Sequence, residues 1–75
     1  MKELVEYIAT SIVSSPEEVD VKEIRAGDSV IVQLKVASED VGKVIGKQGR
    51  VAQAMRSLLK VASMKKGQRV NLEIG

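Results

Sequence analysis

The chain has no cysteine, histidine, tryptophan or phenylalanine, and it has a single tyrosine and a single proline among its 75 residues. Without cysteine there is neither a disulfide framework nor a thiol nucleophile, and nothing points to an oxidising compartment. Without histidine, the commonest general base and the commonest transition-metal ligand are missing. Ser, Lys, Asp and Glu remain, but they would need a pocket to position them, and a domain of this size seldom encloses one. Binding is therefore a better expectation than catalysis, and no cofactor or metal is expected. No stretch approaches the ~20 consecutive apolar residues that a membrane span requires. The chain passes from Met1-Lys2-Glu3 straight into an amphipathic pattern, which reads as the absence of a signal peptide and makes the cytoplasm the expected location.

What is present suits one small domain over residues 1–75. The hydrophobic content of 44% is ordinary for a globular protein, and the length suffices for folding without staples. The net charge is only +2, but it is unevenly spread. From Met1 to Ser38, four cations stand against seven anions; from Glu39 to Gly75, eight cations stand against three. A basic half on a near-neutral chain suggests a face that binds a polyanion, although cations that merely solvate a helix would produce the same count.

The periodicities give an order of elements. Leu4, Val5, Ile8, Ala9 and Ile12 fall on one helical face over Lys2–Ser14, and Ser15-Pro16 ends that helix because the residue before proline is pushed out of the helical region. Val19–Arg25 reads as a strand whose alternation is imperfect, as on an edge or at a bulge. Ala26-Gly27-Asp28-Ser29 is a hairpin signal. Val30–Ala37 is the clearest strand, with Val30, Val32, Leu34 and Val36 on one side. Ser38 is placed to cap a short helix, with Glu39 and Asp40 at the positive end of its dipole; this helix runs to about Ile45 and is expected to bury Val41, Val44 and Ile45. A longer helix over Arg50–Lys65 is expected to bury Val51, Ala54, Met55, Leu58, Val61 and Ala62, and to present Gln53, Arg56 and Lys60 on the opposite side. Gly67 closes it, and Val70, Leu72 and Ile74 point inward from a final strand over Arg69–Ile74. The order helix–strand–strand–helix–helix–strand predicts an α+β fold, a three-stranded sheet with its helices packed on one face.

The chemistry-bearing segment lies between the last two helices. Gly46 and Gly49 bracket Lys47-Gln48, so the backbone can turn through conformations closed to other residues and another backbone can approach closely. The helix that follows presents unpaired N–H groups and the positive end of its dipole, an arrangement that favours phosphate. Lys47, Arg50 and, one helical turn earlier, Lys43 add positive charge. An isolated G-x-x-G is commonly no more than a tight corner. Here the pair sits between two helices, is flanked by cations and lies in the basic half, which favours a sugar–phosphate strand. A dinucleotide fingerprint would follow a strand with a leading G-x-G, and a P-loop would place Ser or Thr after Gly-Lys; neither pattern is met.

The run Val44-Ile45-Gly46-Lys47-Gln48-Gly49-Arg50-Val51 resembles the signature of KH domains, whose hallmark is a G-x-x-G loop between two helices, and the element order resembles their type II arrangement. More narrowly, the opening helix and the Ser38–Val51 segment look like those of the small stand-alone bacterial KH proteins of the KhpA family. The resemblance implies that the loop clamps about four unpaired nucleotides of single-stranded RNA, with Gly46 and Gly49 allowing close approach and Lys47 and Gln48 contacting phosphates. Arg50 and Lys43 join this RNA-binding set on electrostatic grounds. Ile45 and Val51 are expected mainly in the core. The resemblance further implies a cytoplasmic RNA chaperone or post-transcriptional regulator linked to cell-wall homeostasis and cell length, working as a homodimer or with a larger Jag-type KH partner. With only Tyr7 as an aromatic ring, base stacking is poorly served. Binding is expected to be weak, permissive and salt-sensitive, with a slope of log affinity against log salt of about −1.5 to −3 for two to four neutralised phosphates. The alternative class is a KH-fold module for dimerisation or protein interaction with little RNA binding of its own.

Overall fold

The computed structural model describes residues 1–75. Helix α1 spans Lys2–Ile12, strands β1 and β2 span Asp20–Ala26 and Ser29–Lys35, helices α2 and α3 span Val41–Ile45 and Arg50–Lys65, and strand β3 spans Arg69–Ile74. The architecture is the α+β arrangement expected from the periodicities. The strands lie in the order β1-β2-β3. A two-residue turn at Gly27-Asp28 folds β1 back antiparallel on β2, with Ala26 opposite Ser29 and Asp20 opposite Lys35. The ladder contains no bulge, so the broken alternation of β1 reflects its place at the sheet edge: Val21 is buried and Ile24 is exposed. Strand β3 pairs parallel to β2, with Val30 opposite Val70 and Leu34 opposite Ile74. A parallel pair needs a crossover connection, and here α2 and α3 supply it. The corner between them is therefore part of the connection that closes the sheet.

The core gathers one face of each element. Val30, Val32 and Leu34 of β2 meet Val21 of β1, Leu72 of β3, Val5 and Ala9 of α1, Val44 of α2, and Met55 and Leu59 of α3. Fully burying side chains such as Leu34, Met55 and Leu59 contributes about 1.5–3 kcal/mol each relative to exposure. Helix α3 ends as its glycine predicts: the Gly67 N–H bonds to the Met64 carbonyl and the Gln68 N–H to the Ser63 carbonyl, the paired bonds of a Schellman cap.

Three expectations are corrected. The buried stripe of α3 is Ala52, Met55, Leu59 and Ser63, which leaves Leu58 50% and Val61 58% exposed and Ala54 exposed as well. Ile45, expected inside, is 37% exposed. Ser38 caps nothing. A single 3-10 turn over Ser38–Asp40 precedes α2, and neither that turn nor α2 has a side-chain cap.

Candidate nucleic-acid interface

Three of the four residues in the corner between α2 and α3 have positive φ. Gly46 has φ 78 and ψ 172, a region essentially reserved for glycine. A Cβ there would stand 2.4 Å from Val51 Cγ2 and 2.9 Å from the Val51 N atom, so Gly46 also lets the chain double back against the start of α3. Gln48 (φ 57, ψ 26) and Gly49 (φ 74, ψ 15) are both left-handed. Gln48 is the only side-chain-bearing residue in the chain with positive φ. Such a residue costs on the order of 1–2 kcal/mol. Backbone bonds hold the corner: the Gly46 N–H reaches the Gly42 carbonyl at 2.9 Å and the Gly49 N–H reaches the Gly46 carbonyl at 3.1 Å.

This geometry leaves a place for an anion. No side chain caps the N-terminus of α3; the Arg50 N–H is taken by the Lys47 carbonyl, but the positive end of a 16-residue helix meets no side-chain acceptor. Nothing lies within 4 Å of where a Gly49 Cβ would be, which keeps the approach open. Lys47 and Gln48 are exposed on the tip and Arg50 is exposed at the helix start. Neither Lys47 nor Arg50 has an acidic partner; the Arg50 guanidinium donates only a 3.4 Å bond to Gln48 Oε1.

Lys43 is placed differently. Its ammonium lies 3.5 Å from Asp40 and also contacts the Ser14 hydroxyl, so much of its charge is already answered. Asp40 is the functional neighbour that the sequence pattern hid. Its carboxylate is fully buried and accepts the Ser14 N–H at 3.0 Å and the Ser15 N–H at 3.1 Å. The Ser14 N–H above all, opposed by desolvation and aided by Ser15 and Lys43, holds that carboxyl below the usual range. The side chain thus ties the segment after α1 to the turn that launches α2. Its only sequence signal was an acid followed three residues later by a lysine, which equally fits a helix-dipole role.

Of the two apolar residues flanking the corner, Val51 is half-buried and packs on the core as expected, while Ile45 sits at the surface. Tyr7 is exposed on α1. No group of three or more His, Cys, Asp and Glu converges anywhere in the fold, and no helix is long and apolar enough to cross a membrane.

Comparison with known proteins places the chain in a family. Residues 2–74 match the family model described as KhpA/KhpB, KH domain. Among curated relatives, the RNA-binding protein KhpA of Clostridium perfringens is 54% identical over 74 residues, covering 99% of both chains. That of Caldanaerobacter subterraneus subsp. tengcongensis is 55% identical with the same coverage. The KhpA of Chlamydia pneumoniae is 45% identical over 99% of this chain and 95% of its own. No solved structure matches the chain. With its G-x-x-G corner between α2 and α3, its mixed three-stranded sheet and this full-length similarity, the chain belongs to the KhpA/KhpB family of KH domains.

Proposed function

We propose that this chain, as one KH domain, binds single-stranded RNA by gripping its sugar–phosphate backbone at Gly46-Lys47-Gln48-Gly49, with Arg50 beside it and Lys43 in a secondary, partly neutralised role. The observation that carries the reading is the uncapped start of α3 beside two unpaired cations, reached through a glycine corner with open space around Gly49. The relatives named RNA-binding protein KhpA support the same ligand class. On resemblance alone the reading extends to a cytoplasmic RNA chaperone or post-transcriptional regulator, linked to cell-wall homeostasis and cell length and working with a larger Jag-type partner.

The test replaces Lys47 and Gln48 together with Asp. Asp tolerates the left-handed backbone at position 48 better than most residues, so the fold survives while two anions face the strand. Loss of affinity for an unpaired oligonucleotide, with unchanged circular dichroism, is the expected outcome. Unchanged affinity in the folded variant overturns the reading.

A second reading, self-association, is favoured by one specific feature. Ala54, Leu58 and Val61 form an exposed apolar ridge along α3, about 100° or more around the helix from Arg56 and Lys60. A second copy packed on this ridge would stay clear of Arg56 and Lys60. Pairing would also raise the effective concentration of a short RNA-binding site, so the two readings are compatible.

A further inference from the structure

Helix α2 carries the chain into the corner, yet little of it is anchored. It has five residues, of which only Val44 is buried, with Val41 half-buried against the core. At the corner end Ile45 is at the surface. A helix of this length has no independent stability in water, so its direction is set by what holds its ends. The end away from the corner is held by Asp40. Its fully buried carboxylate accepts two backbone N–H groups from across the fold, Ser14 at 3.0 Å and Ser15 at 3.1 Å. The Asp40 N–H is itself fixed at 2.8 Å by the Ala37 carbonyl. Gly46 follows ~9 Å further along the helix axis, so a change of pitch at the Asp40 end displaces the glycine corner.

We propose that Asp40 is a positioning residue for the RNA grip: its bonds to Ser14 and Ser15 hold α2 in the orientation that presents the corner to the strand, and so couple the segment after α1 to the ligand. The inference rests on the RNA reading of the corner and adds to it a second place in the fold, distant in sequence, that responds when RNA binds. Electrostatics alone makes the opposite prediction. Asp40 is an anion on the element that leads into a polyanion site, and it holds the Lys43 ammonium at 3.5 Å. Removing its charge frees Lys43 and raises the net charge by one, which by itself tightens RNA binding and steepens its salt dependence. The two roles differ in sign.

The test is Asp40→Asn, a side chain of nearly the same shape. Asn has one acceptor oxygen, and its NH2 meets the second serine N–H donor to donor, so half of the anchor is lost. Affinity for a uridine tetranucleotide is measured by fluorescence anisotropy at neutral pH, where circular dichroism shows the variant folded. It is expected to fall about fivefold despite the added positive charge. The amide resonances of residues 46–51 in the free variant move as well. Ser14→Ala keeps the backbone N–H and removes only the hydroxyl contact to Lys43; its affinity stays within about twofold of the wild type. Coupling is reciprocal, so saturating tetranucleotide slows hydrogen exchange at the Ser14 and Ser15 amides of the wild type by about the same fivefold factor. The hairpin-turn amides of Gly27 and Asp28 serve as the uncoupled comparison. This readout uses no variant and decides the matter even if Asp40→Asn does not fold. Equal or tighter binding by folded Asp40→Asn, an equal loss in Ser14→Ala, or serine amides that RNA slows no more than the hairpin amides would overturn the positioning role and leave the grip standing. If the wild type binds no tetranucleotide at low ionic strength, the grip falls and the role falls with it.

Discussion

Two glycines at the corner have different duties, and substitution separates them. Gly46 combines a glycine-only backbone with a Cβ position that collides with the Val51 backbone, and the colliding atom cannot swing away. Gly49 has only a left-handed φ, with open space around it. Gly49→Ala is expected to cost about 1–2 kcal/mol, and Gly46→Ala at least twice as much, read from urea unfolding. Gly49→Ala also places a methyl where the strand approaches, so it should weaken RNA binding more than its small stability loss explains. Asp40 makes a prediction about acid. Its carboxyl is depressed in the folded chain, chiefly by the Ser14 N–H. Its contribution is therefore complete above the unfolded carboxylate value near 3.9 and is lost as pH falls through the lower folded value. Asp40→Asn should flatten the decline of stability below about pH 4; unfolding curves whose pH dependence matches the wild type would contradict this. The sequence shows why Asp40 was hard to read. A helix-dipole acid and a buried acceptor have the same letter, and only the path of Ser14-Ser15 across the fold distinguishes them.

At the scale of elements, the strands and the two long helices were legible because their apolar residues repeat with one period. The bounds of β3 and α3 fall where the pattern puts them, and β1 and β2 shift by a residue or two. Helix α3 shows the limit of that reading. Apolar residues cover more than half of its circumference, so the sequence offers two overlapping stripes that share Met55. Hydrophobicity favours the stripe through Leu58 and Val61, yet packing against the sheet selects Ala52, Leu59 and even Ser63, whose hydroxyl is satisfied by the Lys60 carbonyl. The rejected stripe is the exposed ridge. Leu58→Asp is expected to leave the monomer folded, since half of that side chain is already exposed, and to shift sedimentation toward the monomer. A variant and wild type of equal sedimentation at high concentration would exclude the ridge as a self-association face.

Over the whole molecule, α3 acts as a partition. Its N-terminal end carries the glycine corner, one flank faces a cleft beside β3 that Arg56, Lys60 and Arg69 line, and the opposite flank carries the apolar ridge. The charge asymmetry seen in the sequence maps onto this arrangement, because the eight cations after residue 38 lie on α2, α3, the corner and β3 or the turn before it. The fold class and the corner could be read from the letters; the cleft could not, because it depends on how the edge of β3 lies against a helix in space. The most direct measurement of the central claim is a titration of isotope-labelled protein with an unpaired tetranucleotide, followed through its amide NMR resonances. The account predicts that the largest shifts fall on the N–H groups of residues 46–51, with Gly49 and Arg50 among them. Shifts confined to the outer face of the sheet around Ile31 and Gln33, or no shifts at low ionic strength, would contradict it.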